Sequence, residues 1–208
     1  MNFYPDFWEN EKFVQNYDKW YESEEGKYAD RKEKDLFLKL INPHRGQSLL
    51  EIGSGTGHFS FWFHSLGLGV VGVDSSSAML RVARGKIKDK KISFIKANAE
   101  KLPFSSNSFN LVTLITTLEF VDLPEKVLKE AFRVAKEKVF LGVLAKWSLL
   151  AFKRKIKALF KSSVYKEAKF YSARELIKLV KRCATEKIRI QYKKTLKGVF
   201  IGLVVNLK

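Results

Sequence analysis

Chemistry in this chain is concentrated in residues 49–60, LLEIGSGTGHFS. An apolar pair, Leu49-Leu50, runs into Glu51 and then into Gly53, Gly55 and Gly57. Glycine lacks a Cβ, so such a corner can bend sharply and let a ligand approach the backbone. Phe59, Phe63 and Leu66 follow at steps of four and three, the period of an amphipathic helix. The segment therefore predicts strand, tight turn and helix, with the helix aiming its free N–H groups at the turn. A second apolar run, GVVGVD at 69–74, ends on Asp74. A carboxylate at the end of the second strand of a βαβ unit can accept hydrogen bonds from both hydroxyls of a ribose. The alternative is a dinucleotide-binding site, whose pattern is G-x-G-x-x-G. Here the spacing is G-x-G-x-G, and His58 stands where that pattern needs glycine or alanine. Glu51, two residues before the first glycine, would repel a pyrophosphate and attract a cationic amino-acid tail.

Further motifs follow in order: VVGVDSSSAML (70–80), ANAEKLPF (97–104) and FNLVTLITTLEFVDLPEKVLKEAFRV (109–134). Together with LLEIGSGTG (49–57) they make residues 45–145 resemble the class I S-adenosylmethionine-dependent methyltransferases, most of all the subgroup with the ubiquinone/menaquinone-biosynthesis enzymes. The resemblance implies an α/β fold: a doubly wound, mostly parallel seven-stranded sheet with helices on both faces and a C-terminal antiparallel hairpin. It implies that Glu51 and the backbone of Gly53, Ser54 and Gly55 hold the methionine part of S-adenosylmethionine, and that Asp74 takes the ribose. Met79 falls where the family packs an apolar side chain on the adenine, with plain core packing as the competing role. Asn98 replaces the family's aspartate toward the adenine amino group; its side-chain oxygen can still accept. The N–H of Ala99 would serve a ring nitrogen. Gly57, Ser75, Glu100 and Thr116 complete the implied cofactor site. Glu119, near Thr116 and Thr117 at the end of strand four, could orient or deprotonate an acceptor, or simply hold its loop. Asn110 replaces an aspartate usual in the family. The donor is already activated, so the protein need mainly bind it, exclude water and align an acceptor for in-line displacement, leaving S-adenosylhomocysteine.

The elements that position these residues are legible around them. Residues 7–40 read as helices, with Gly26 as the break, one aromatic side (Trp8, Phe13, Tyr17, Trp20, Tyr21) and a second stripe at Leu36, Phe37, Leu40 and Ile41. By resemblance residues 1–45 form a lid over a core at 46–145, which makes Tyr17, Trp20, Tyr28 and Arg31 candidate contacts; the alternative is a stripe packed on the core. Strands are expected at Ser48–Ile52, Gly69–Val73, Ile92–Ala97, Asn110–Thr116 and Lys138–Leu144. Serines 75–77 can cap one helix, and Asp122 another, Leu123–Ala135, with Pro124 at its first position. Trp147–Lys161 reads as a basic amphipathic helix within an insertion at 146–172 over the acceptor site, with membrane-surface docking and RNA contact as alternatives. Ser172 and Glu175 form a capping box for Ala173–Cys183. Strands Lys187–Leu196 and Val199–Asn206 meet at a Lys197-Gly198 turn, within a final unit at 173–208.

The 208 residues suit one domain, and 46% are hydrophobic. Apolar runs are too short to span a bilayer, no signal peptide is evident, and a single cysteine, Cys183, allows no internal disulfide; a cytoplasmic setting is expected. The histidines are only His44, His58 and His64, so no metal site is expected. Net charge is +17, and residues 145–208 carry 18 Lys/Arg against three acids. Such asymmetry suits nucleic acid, an anionic surface or an acidic substrate, while a charge-rich surface of the thermophile kind is the plainer reading. Three functions compete: a methyltransferase for a small-molecule acceptor, an RNA methyltransferase using the basic C-terminal third, and a non-catalytic cofactor-binding module. Thr116-Thr117-Leu118-Glu119 is not a base-binding Asn-Pro-Pro-Tyr tetrad, which counts against amino-group methylation of bases.

Overall fold

The structure is a computed structural model that describes residues 7–87, 91–146, 168–185 and 187–207. Its centre is a seven-stranded sheet: β1 (Ser48–Ile52), β2 (Gly69–Asp74), β3 (Ile92–Lys96), β4 (Phe109–Ile115), β5 (Ala135–Leu144), β6 (Arg189–Thr195) and β7 (Phe200–Asn206). The order is β3-β2-β1-β4-β5-β7-β6. The first five strands pair in parallel, and β7 runs antiparallel to both β5 and β6. The chain leaves β1 to one side for β2 and later returns to the other side for β4. That reversal opens a crevice at the strands' C-terminal ends, where open α/β sheets bind ligands.

Central strands read as nearly continuous apolar runs because both faces are covered. On one face Leu50, Val112, Leu114 and Val139 pack with α6 (Pro124–Val134) and α7 (Ala173–Cys183). On the other, Leu49, Leu111 and Phe140 pack with α3 (Glu24–Ile41) and α4 (His58–Ser65). Gly202 in β7 lets α3 approach: a Cβ there would stand 2.6 Å from Leu36 Cδ2. The expected doubly wound architecture is therefore present, as is the Ser172–Glu175 capping box.

Three expectations are corrected. Gly26 does not end a helix; it lies in the first turn of α3, where a Cβ would fall 1.8 Å from the carbonyl oxygen of Trp20. The breaks come at Asp18, between α1 (Glu11–Tyr17) and the short α2 (Lys19–Glu22), and at Ser23, whose side chain accepts from Gly26 N–H. Asp122 does not cap α6; Leu123 occupies that position without a side-chain hydrogen bond, and Pro124 alone marks the start. β5 begins at Ala135, directly after α6. The expected basic helix Trp147–Lys161 lies outside the described residues, as does most of the 146–172 insertion.

Candidate active site

The glycine corner is built by folding the chain after β1 back onto the end of β2. The N–H groups of Gly53 and Ser54 both donate to the carbonyl of Val73, at 2.8 and 3.0 Å. This needs the left-handed backbone seen at Gly53 (φ 74°) and Gly55 (φ 52°). Asp74 locks the fold from the other side. Its carboxylate accepts from Gly55 N–H at 2.8 Å and from Ser76 N–H at 2.9 Å. Ser76 in turn caps α5 (Ser77–Gly85) through Met79 N–H.

In front of this corner lies a cavity of about 570 Å³. Of the expected cofactor residues, Gly53, Gly55, Asp74, Ser75, Met79, Asn98, Ala99, Glu100 and Thr116 line it. Burial pushes Asp74 up from the usual carboxylate range, although the N–H groups of Ser76 and Gly55 oppose the shift. The Asn98 side-chain oxygen accepts from Glu100 N–H at 2.8 Å, so its loop is pre-shaped, and a second lone pair remains for a ligand. Thr116 sits at φ 49° with its N–H bonded to Gly142 O at 2.8 Å. A β-branched residue in that region is strained, and such strain collects at functional sites.

Four expected residues do not line the cavity. Gly57 is a packing glycine: a Cβ there would meet Phe94 Cζ at 2.7 Å. Ser54 is buried, and its hydroxyl has no hydrogen-bond partner among the described residues. Glu51 is buried behind the corner and accepts from the Ser60 hydroxyl. Burial, with the nearby Asp74 charge adding to it, raises its pKa to about 8 against the opposing Ser60 bond. The candidate base Glu119 is buried, and its Oε1 accepts the backbone N–H of Leu144 at 2.6 Å. That is the geometry of a residue tying the loop after β4 to β5.

The N-terminal segment closes the cavity with Trp8, Glu9 and Tyr17. Glu9 binds the start of α5, accepting from Ser77 and Ala78 N–H at 2.7 and 3.1 Å. Carboxylates are favoured there, where helix N–H groups lack partners. Asp18 accepts from the Thr56 hydroxyl at 2.5 Å and pairs with Lys86. His58, at the start of α4, stacks on Tyr21 at 3.6 Å and bonds Asp30 at 2.7 Å. Of the aromatic and basic candidates on this segment, Tyr17 lines the cavity, whereas Trp20, Tyr28 and Arg31 do not. Glu9, Trp8 and Phe120 were missed as site residues; only the aromatic stripe hinted at Trp8.

A methyltransferase domain model matches residues 50–142. An uncharacterised protein of Methanocaldococcus jannaschii is 34% identical over 181 residues, covering 86% of this chain and 82% of that protein. The chain belongs to the S-adenosylmethionine-dependent methyltransferases. Over its core it is similar to the ubiquinone/menaquinone-biosynthesis methyltransferases. The demethylmenaquinone methyltransferase of Renibacterium salmoninarum is 39% identical over 106 residues. That match covers 51% of this chain and 44% of that protein, so this methyltransferase spans less than half the length of its quinone-modifying relative. A Thermotoga maritima S-adenosylmethionine-dependent methyltransferase, described as a possible histamine N-methyltransferase, superposes with a TM-score of 0.77 at 27% identity, covering 95% of this chain and 97% of that one.

Proposed function

We propose that this enzyme moves a methyl group from S-adenosylmethionine to a small-molecule acceptor by in-line displacement. The observation that carries the reading is the Asp74 carboxylate fixed beside Gly55 on the wall of a 570 Å³ cavity. The residues present fit the cofactor. A Cβ on Gly55 would have no neighbour nearer than Met79 Sδ at 4.0 Å, so the corner offers an open cradle. Asp74 would hold the ribose hydroxyls, Asn98 and Ala99 the adenine edge, and Met79 its face. The acidic corner favours a cation, and Glu51 lies behind it at the ammonium end. Bound there, the cofactor supplies an electrophilic methyl on a positively charged sulfur.

The chain's own groups then have three tasks. Asp74 and the glycine corner fix the cofactor, so that orientation is settled before reaction. Trp8, Tyr17 and Phe120 exclude water. The strained Thr116 and its neighbour Thr117 hold the loop after β4 against β1: Thr117 Oγ1 donates to Ile52 O at 3.1 Å. A Cβ on Gly53 would strike Thr117 at 2.4 Å, so that contact requires glycine. Incubation with labelled cofactor tests the reading. Label should enter a small-molecule extract and not total RNA; label in RNA alone would overturn it.

A further inference from the structure

The chain carries 39 Lys/Arg against 22 acids, yet the cavity wall inverts that balance. Among the described residues lining it are four carboxylates, Glu9, Asp74, Glu100 and Asp122, and no lysine, arginine or histidine. Two of these are engaged by backbone N–H groups: Asp74 at Gly55 and Ser76, and Glu9 at Ser77 and Ala78. The Asp122 carboxylate makes no hydrogen bond or ion pair among the described residues. Lys169 lies nearby but donates to the Asp122 backbone carbonyl, at 3.1 Å.

Aromatic rings stand on the same side. Trp8 meets Phe120 edge-on at 5.2 Å and Tyr17 at 6.2 Å, so the N-terminal segment and the loop after β4 share one aromatic wall. Apart from Thr116, the groups assigned to the cofactor lie in the loops after β1, β2 and β3 and in the first turn of α5. The wall of Trp8, Tyr17, Phe120 and Asp122 is what remains for an acceptor. Aromatic faces attract cations, and the exposed Asp122 carboxylate on the same wall does so at longer range, screened by solvent. Among the described residues lining the cavity, a carboxylate- or phosphate-bearing acceptor would meet four like charges and no cation.

Building on the methyltransferase reading above, we propose that the acceptor is an amine, bound as its ammonium form against Trp8, Tyr17 and Phe120, with Asp122 as its counter-charge. For transfer the ammonium first gives one proton to water. The freed nitrogen lone pair then forms the N–C bond to the methyl as the C–S bond breaks, and that bond's electron pair stays on sulfur. The products are a methylated ammonium and a neutral thioether.

Calorimetry on the full chain loaded with S-adenosylhomocysteine tests this without needing the natural acceptor. The probes are 2-phenylethylammonium and the size-matched anion 3-phenylpropanoate. The cation is expected to bind at least about tenfold more tightly than the anion. Asp122→Asn and Trp8→Phe should each weaken the cation about threefold to tenfold, and Asp122→Asn should do so while leaving the affinity for S-adenosylhomocysteine unchanged. Equal or tighter binding of the anion, no binding of the cation, or a cation affinity indifferent to both substitutions would overturn the proposal. Failure to load S-adenosylhomocysteine at all would overturn the cofactor assignment beneath it as well.

Discussion

The carboxylate of Asp74 and the backbone N–H of Gly55 lie 2.8 Å apart, which ties the end of β2 to the corner after β1. One side chain thus shapes the cradle and presents acceptors to whatever enters it. Asp74→Ala removes bonds to two N–H groups. Each charge-assisted hydrogen bond contributes about 1.5–3 kcal/mol. The substitution should raise the dissociation constant for S-adenosylmethionine by at least about tenfold, measured by calorimetry, and lower the melting temperature. Unchanged affinity would remove Asp74 from the site.

Glu51 should make the free protein's stability fall as pH rises. Its folded pKa of about 8 lies above its unfolded value, so the native state holds the extra proton between the two. Stability is then lost as pH climbs from about 5 to about 8, at up to about 1.4 kcal/mol per unit. The raised pKa of Asp74 acts in the same direction. Thermal melts across that range should show the slope, and Glu51→Gln should flatten it. A cation bound near Glu51 favours the carboxylate, so cofactor affinity should strengthen toward pH 8 with release of a proton.

Thr116 holds a left-handed conformation at φ 49° that a β-branched side chain resists. Relief of strain worth about 1–3 kcal/mol would offset the roughly 0.5–1 kcal/mol that glycine loses in chain entropy. Thr116→Gly should therefore leave the melting temperature unchanged or higher, while methyl transfer falls. A clear loss of stability would contradict the strain.

Much of the candidate site was legible because it depends on backbone geometry. Gly53, Gly55 and Asp74 announce themselves: few residue types can turn that corner or cap that strand. Glu51, Gly57 and Glu119 carry the right chemistry at the right spacing, yet a spacing rule cannot tell a cavity wall from the layer behind it. Glu51 went to Ser60 and Glu119 to the Leu144 N–H. Gly26 misled for a related reason. Its lack of a Cβ serves a close approach of Trp20, and helix propensity says nothing about tertiary neighbours. Glu9 was invisible because its partner, the start of α5, lies 68 residues away.

The N-terminal segment is clasped to the core by Asp18, which bonds Thr56 and Lys86. Asp18→Ala should speed amide exchange over residues 11–22 and hasten cofactor release. Global stability should drop by only about 1–2 kcal/mol, since these groups are part-exposed. Exchange rates matching the parent protein would show that other contacts hold the segment.

The central claim, that the corner at Gly53–Gly55 and Asp74 grips S-adenosylmethionine, is tested most directly by calorimetric titration of the full chain with that cofactor. The account predicts saturable one-to-one binding that Asp74→Ala weakens by at least about tenfold. Absence of binding to the parent protein, or equal binding to the variant, would contradict it.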